Sequence, residues 1–159
     1  MLLVRVDAEG LGAHFAPGTP VPLIALYLLV IAALFAVVWL KDILPATFAN
    51  TRPASLESTE MLTNPVQVLD LSITLPMCVV AGVWLWRRQP WGYLLAGVLL
   101  TMLVIESASI ATDQVLDHLH DPSASLGAVP LFVVLGLVGL LPTVALLRNV
   151  WPGQNARVR

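Results

Sequence analysis

The sequence predicts an all-α integral membrane protein, a single bundle of four transmembrane helices. Three observations carry this. Of 159 residues, 58% are hydrophobic and only 11% charged, whereas a soluble domain is nearer half apolar and about a quarter charged. The 18 Lys, Arg, Asp and Glu residues leave four charge-free stretches, 15–40, 71–86, 89–105 and 122–147. Crossing a bilayer core takes roughly 20 mostly apolar helical residues. Two of the stretches supply that length outright, and two supply it with a few flanking polar residues.

The whole chain, 1–159, is then one four-helix membrane domain. Residues 1–19 form a Gly-containing lead-in. Its apolar start is short and interrupted by Asp7 and Glu9, unlike a signal peptide. The first span is expected at about 21–41, where prolines near its first turn cost no hydrogen bond. Lys41 and Asp42 mark its exit, and a polar loop over 43–63 follows. The second span, 65–87, opens on Asn64-Pro65, an N-cap followed by proline at the first helical position. Pro76 lies inside it and predicts a kink. Arg87-Arg88-Gln89-Pro90 reads as a tight turn into the third span, 90–113. The helical pattern of that span continues to His120 and stops at Asp121-Pro122. The fourth span is expected at 129–148, with Pro142 inside it and a basic tail at 149–159.

Basic residues orient the bundle. Arg5, Arg87, Arg88, Arg148, Arg157 and Arg159 fall on one side, Lys41 and Arg52 on the other. The positive-inside rule then places both termini in the cytoplasm of a bacterial inner membrane. Trp84, Trp86, Trp91, Tyr93 and Trp151 gather at the same interface, as amphipathic rings do.

Chemistry is confined to two places. Asp70 and Glu106 sit roughly 8–9 Å in from the outer ends of the second and third spans by helical rise. A carboxylate at that depth usually faces protein or a water-filled cavity. Thr63, Gln67, Asp70 and Thr74 share one helix face, and Glu106 aligns with Asp113, Asp117 and His120 on the next. The expectation is an outward-opening polar site using Asp70, Glu106 and Gln67, with Lys41 the nearest basic group. Facing carboxylates favour a shared proton or a bound cation. The plainer readings are that Asp70 meets the helix dipole at the interface and that Ser107 and Ser109 satisfy Glu106 locally. Beyond the membrane, Asp113, Asp117, His118 and His120 form an acidic cap of metal-ligating types. A solvated face explains the same residues, and an i, i+2 histidine pair points apart on a helix.

Other signals are weak. No phosphate loop, zinc helix motif or nucleophile elbow occurs, so no cofactor is expected. A net charge of −2 gives no basic excess for nucleic acid. Cys78 stands alone and reads as a small buried hydrophobe. Gly92-x-x-x-Ala96 could bring two helices, or two chains, close together.

The run Asn64-Pro65-Val66-Gln67-Val68-Leu69-Asp70-Leu71, then Leu75-Pro76, then Leu85-Trp86-Arg87-Arg88-Gln89-Pro90-Trp91-Gly92-Tyr93, resembles a group of uncharacterised bacterial multi-pass membrane proteins of actinobacterial type. The resemblance spans about residues 15–148. It implies an inner-membrane helical protein and brings no activity. Members of the group carry further helices before the equivalent of the first span, which implies a form shortened at the N-terminus.

Three function classes follow. The first is a non-enzymatic membrane protein acting with a membrane-protein partner or as a homo-oligomer in the lipid bilayer. The second is a small transporter or cation-binding protein using Asp70 and Glu106. Small four-helix exporters place such an acid in their first helix, where this chain has none. The third is a metal-dependent membrane enzyme using the outer Asp/His cap. The absence of a catalytic motif leans away from it.

Overall fold

A computed structural model describes Phe15, residues 18–56 and residues 62–149. Arg5, Asp7, Glu9, Trp151, Arg157 and Arg159, which entered the sequence reading, lie outside these residues. The described residues form an all-α bundle of four long helices. These are α1 (Val21–Ala49), α2 (Pro65–Trp86), α3 (Pro90–His120) and α4 (Val129–Arg148), each long and apolar enough to cross a membrane. The protein is therefore a multi-pass membrane protein. Large apolar side chains stand exposed on its outside, Leu23, Val37, Ile105, Leu137 and Leu141 among them. In water that would be a liability, and in lipid it is the expected solvent contact.

Consecutive helices pack on one another: α1 on α2, α2 on α3, and α3 on α4. The α1 and α4 helices meet far less. Small side chains make the close seams. Ala25, Ala32, Cys78, Ala81 and Ala96 are all buried in one core with Ile24, Leu28, Leu85, Leu100 and Leu146. A Cβ on Gly92 would stand 2.4 Å from the Leu85 amide nitrogen. The Gly92-x-x-x-Ala96 pattern thus seats α3 on the end of α2 within one chain. It is buried there, and this corrects its reading as a face for a second copy.

The helix ends follow from their sequences. Asn64 caps α2, its Oδ1 accepting from the backbone N–H groups of Val66 and Gln67 at 3.0 and 3.4 Å. Arg88 turns the chain with φ 55°, and the Gln89 N–H reaches back to the Trp84 carbonyl at 2.9 Å. One boundary differs from the expected one. The α1 helix continues past Lys41 and through Pro45 to Ala49, because one missing N–H is tolerable where freed carbonyls meet water. Asn50 ends it in the left-handed conformation that asparagine adopts readily. The α3 helix runs unbroken to His120, as its polar stripe implied.

Pro76 acts on α2 in a specific way. Lacking an N–H, it cannot bond the carbonyl four residues back, and its ring crowds that carbonyl. The helix widens over Asp70–Thr74 into a π-helical turn, where the Leu75 N–H bonds the Asp70 carbonyl. Such turns are rare and collect at functional sites.

Candidate functional site

The half of the bundle nearest the α1–α2 and α3–α4 connections holds a cavity of about 310 Å³. Helix α1 supplies Tyr27, Ile31, Phe35 and Trp39 to its wall. The α2 cap residue Asn64 joins Asp70 and Thr74 of α2, with Glu106, Ser107 and Gln114 from α3 and Phe132 and Leu135 from α4. Both intramembrane carboxylates therefore line one space.

Asp70 is 8% exposed. The Trp39 indole N–H donates to its Oδ2 at 2.9 Å. One carboxylate oxygen is thus engaged by α1, and the residue lines the cavity wall. Glu106 is half-buried and lines the cavity wall. Its neighbour Ser107 does not satisfy it, since the Ser107 hydroxyl donates instead to the Leu103 carbonyl at 2.7 Å. Phe35 and Trp39 stand with ring centroids 6.5 Å apart, tilted by 47°. At the far side of the cavity, Tyr27 approaches α4 at Gly139: a Cβ there would lie 2.7 Å from the tyrosine hydroxyl. Glycine at this position lets the ring reach across from α1.

Gln67 is also buried, but it faces a second cluster. Its Nε2 donates to Asp42 Oδ2 at 3.0 Å and to Ser55 Oγ at 3.2 Å. The Ser55 hydroxyl donates to the same Asp42 oxygen at 2.5 Å. This knot ties α1 and the chain after it to the start of α2, one helical turn before Asp70. Lys41 is exposed. One helical residue is a 100° turn, so the position that faces α2 is Asp42, and the partner Asp70 meets is Trp39.

The Asp/His cap at the end of α3 does not converge. Asp113, Asp117 and His120 are exposed, and His118 is half-buried. His118 Nδ1 pairs with the Ala124 carbonyl and His120 Nδ1 with the Leu116 carbonyl, each at 2.8 Å. Among the described residues no three His, Cys, Asp or Glu side chains gather as a metal site. Past Glu106, the face of α3 turned inward carries Ile110 and Gln114, while the acidic stripe turns out. In the turn beyond α3, the Ser123 hydroxyl and backbone N–H both donate to Asp121, at 2.7 and 2.9 Å. They hold its carboxyl below the ordinary range.

Comparison with known proteins decides nothing further. No family model, no curated protein and no solved structure matches the chain. Its function is read from the cavity alone.

The sequence missed Trp39, Asn64 and Gln114 as parts of this site. Trp39 carried one usable signal: it lies one helical turn from Phe35, on the same face. Nothing in the sequence pairs it with Asp70.

Proposed function

We propose that this is a non-enzymatic inner-membrane protein that holds a cation between its helices through Asp70 and Glu106. One observation carries the reading: two carboxylates from adjacent helices line the same cavity, and among the described residues no Lys or Arg lines it. Carboxylates inside a membrane protein are costly and mark ligand or ion pathways by default. Two of them beside one cavity favour a cation or a shared proton. A bundle that served only to dock on a partner gains nothing from such a space, so the geometry favours this reading over the partner-dependent one. A metal-dependent enzyme built on Asp113, Asp117, His118 and His120 draws no support from side chains that point apart.

The proposal extends to placement. Both termini face the cytoplasm of a bacterial cell, and the cavity opens toward the outer side. Membership of the actinobacterial-type group rests on the signature from Asn64 to Tyr93. Reporters fused after Arg88 and after Pro122 are expected to report opposite sides.

The binding test uses protein in lipid nanodiscs, titrated with Na⁺, K⁺, Mg²⁺, Ca²⁺ and alkylammonium ions. At least one is expected to raise the thermal unfolding midpoint by mass action, and Glu106→Gln to remove that rise. If none stabilises the wild type, the reading fails. Proton-coupled uptake into vesicles separates transport from binding.

A further inference from the structure

We propose that the cavity takes a lipophilic organic monocation, an ammonium group carried on an apolar body, rather than a metal ion. This rests on the cation-binding reading above and names its ligand class.

The argument begins with size. A volume of about 310 Å³ is that of a small-molecule pocket. A bare metal ion needs a tight shell, six to eight oxygens for calcium and a near-ideal octahedron for magnesium. Here two carboxylates line the space, one of them already engaged by Trp39. The remaining wall is mostly apolar, with Ile31, Leu103 and Leu135 in it. Such a surface is unsuited to a hydrated inorganic ion, whose water shell it cannot replace.

Charge and ring placement complete the case. Phe35 and Trp39 lie on the Asp70 side of the cavity wall, and aromatic faces attract cations within about 6 Å. Trp39 also fixes Asp70 by its N–H, so one ring serves as hydrogen-bond donor and cation surface together. Glu106 closes the opposite side from α3 and has no fixed partner among the described side chains. The ammonium end is therefore assigned to the space between Asp70 and Glu106. The apolar end lies toward Tyr27 and Leu135. Helices α1 and α4 pack on each other far less than consecutive helices do, and their seam, away from the Tyr27–Gly139 contact, is the route assigned to an amphiphile from the bilayer.

The test uses the full chain in nanodiscs, with binding measured by equilibrium dialysis and empty nanodiscs subtracted. The probes are benzyltrimethylammonium, tetramethylammonium (the charge without the body), neopentylbenzene (the body without the charge) and Ca²⁺. The first is expected to bind at least about tenfold more tightly than each of the others. Glu106→Gln is expected to weaken it by a similar factor. Leu135→Trp, which fills the cavity and leaves both carboxylates in the sequence, is expected to abolish binding even if Glu106→Gln proves unstable. Equal binding of tetramethylammonium, or displacement by Ca²⁺, overturns the ligand class and leaves the cation-binding reading standing. Benzyltrimethylammonium bound as well by Leu135→Trp overturns the site. Neopentylbenzene matching it overturns the role of charge. Failure of every cation to bind overturns both readings.

Discussion

Trp39 on α1 donates its indole N–H to Asp70 on α2 across 2.9 Å, at the first residue of the π-helical turn. Hydrogen bonds to carboxylates are worth more than neutral ones, and a buried acceptor left without its donor bears a desolvation cost. Trp39→Phe keeps an aromatic ring and removes only the N–H. It is expected to destabilise the protein by about 1–3 kcal/mol, read as a lowered unfolding midpoint in detergent. Asp70→Leu in the same background then costs less than it does alone, because the two side chains act as a pair. Independent, additive losses would show that the contact contributes nothing.

Two glycines of α3 separate close packing from open space. A Cβ on Gly92 meets the α2 backbone at 2.4 Å, whereas one on Gly97 meets only Leu146 Cδ2 at 3.7 Å, an ordinary contact. Gly92→Ala is expected to cost about 1–3 kcal/mol by overpacking against an immovable backbone. Gly97→Ala is expected to be neutral or to stabilise by up to about 1 kcal/mol through helix propensity. The pair of unfolding midpoints checks both. Similar losses in the two variants would mean that α3 does not rest on the end of α2.

The fold was legible from elementary quantities, and the site only in its two carboxylates. Stretches without charge are long enough to span, so helix number and order follow from counting. Asn64-Pro65 shows an N-cap in the letters themselves. Asp70 and Glu106 were visible because a carboxylate in apolar sequence is expensive. What the sequence hides is pairing between helices. Trp39 with Asp70 lies 31 residues apart, and Asp42 with Gln67 lies 25 apart. Asp42 was hidden further by the expectation that α1 stops at Lys41. A polar loop was expected from residue 43, but the helix continues through Pro45, since a proline near a helix end costs little once its freed carbonyl is hydrated. The acidic stripe of α3 misled for a related reason: helical spacing shows that Glu106, Asp113 and Asp117 share a face, not that the face stays covered above the membrane.

The turn after α3 carries a pH dependence of known sign. Asp121 accepts from the Ser123 hydroxyl and then from its backbone N–H, which hold its carboxyl below the ordinary range. A group lowered in the folded state contributes stability that is fully present above its unfolded pKa, near 3.9 for aspartate. That contribution is lost as pH falls through the lower folded value. The protection factor of the Ser123 amide, its exchange by NMR relative to the intrinsic rate at each pH, is expected to hold above pH of about 4 and to fall below it. Asp121→Asn keeps an acceptor but removes the charge, and is expected to flatten that fall. A protection factor of one at neutral pH would show that the turn is not held by these bonds.

Tyr27 and Gly139 set how closely α1 approaches α4 at the inner side of the cavity. A Cβ on Gly139 would lie 2.7 Å from the Tyr27 hydroxyl oxygen and 3.3 Å from Val104 Cγ2. The first distance is too short to keep, so Gly139→Ala must move the ring or the helix. The expected cost is about 1–3 kcal/mol by overpacking. Tyr27→Phe removes the oxygen that clashes and leaves the ring, at a cost of no more than about 1.5 kcal/mol if its hydroxyl makes a hydrogen bond. The double variant is the informative one. With the hydroxyl gone, the added methyl has room, so Gly139→Ala in the Tyr27→Phe background is expected to cost less than half of what it costs alone. Residues in contact show such coupling, whereas distant ones add. Thermal unfolding of the four proteins in one detergent closes the cycle. Strict additivity would mean that Val104, not Tyr27, receives the strain, and that the ring does not bridge the two helices beside the cavity.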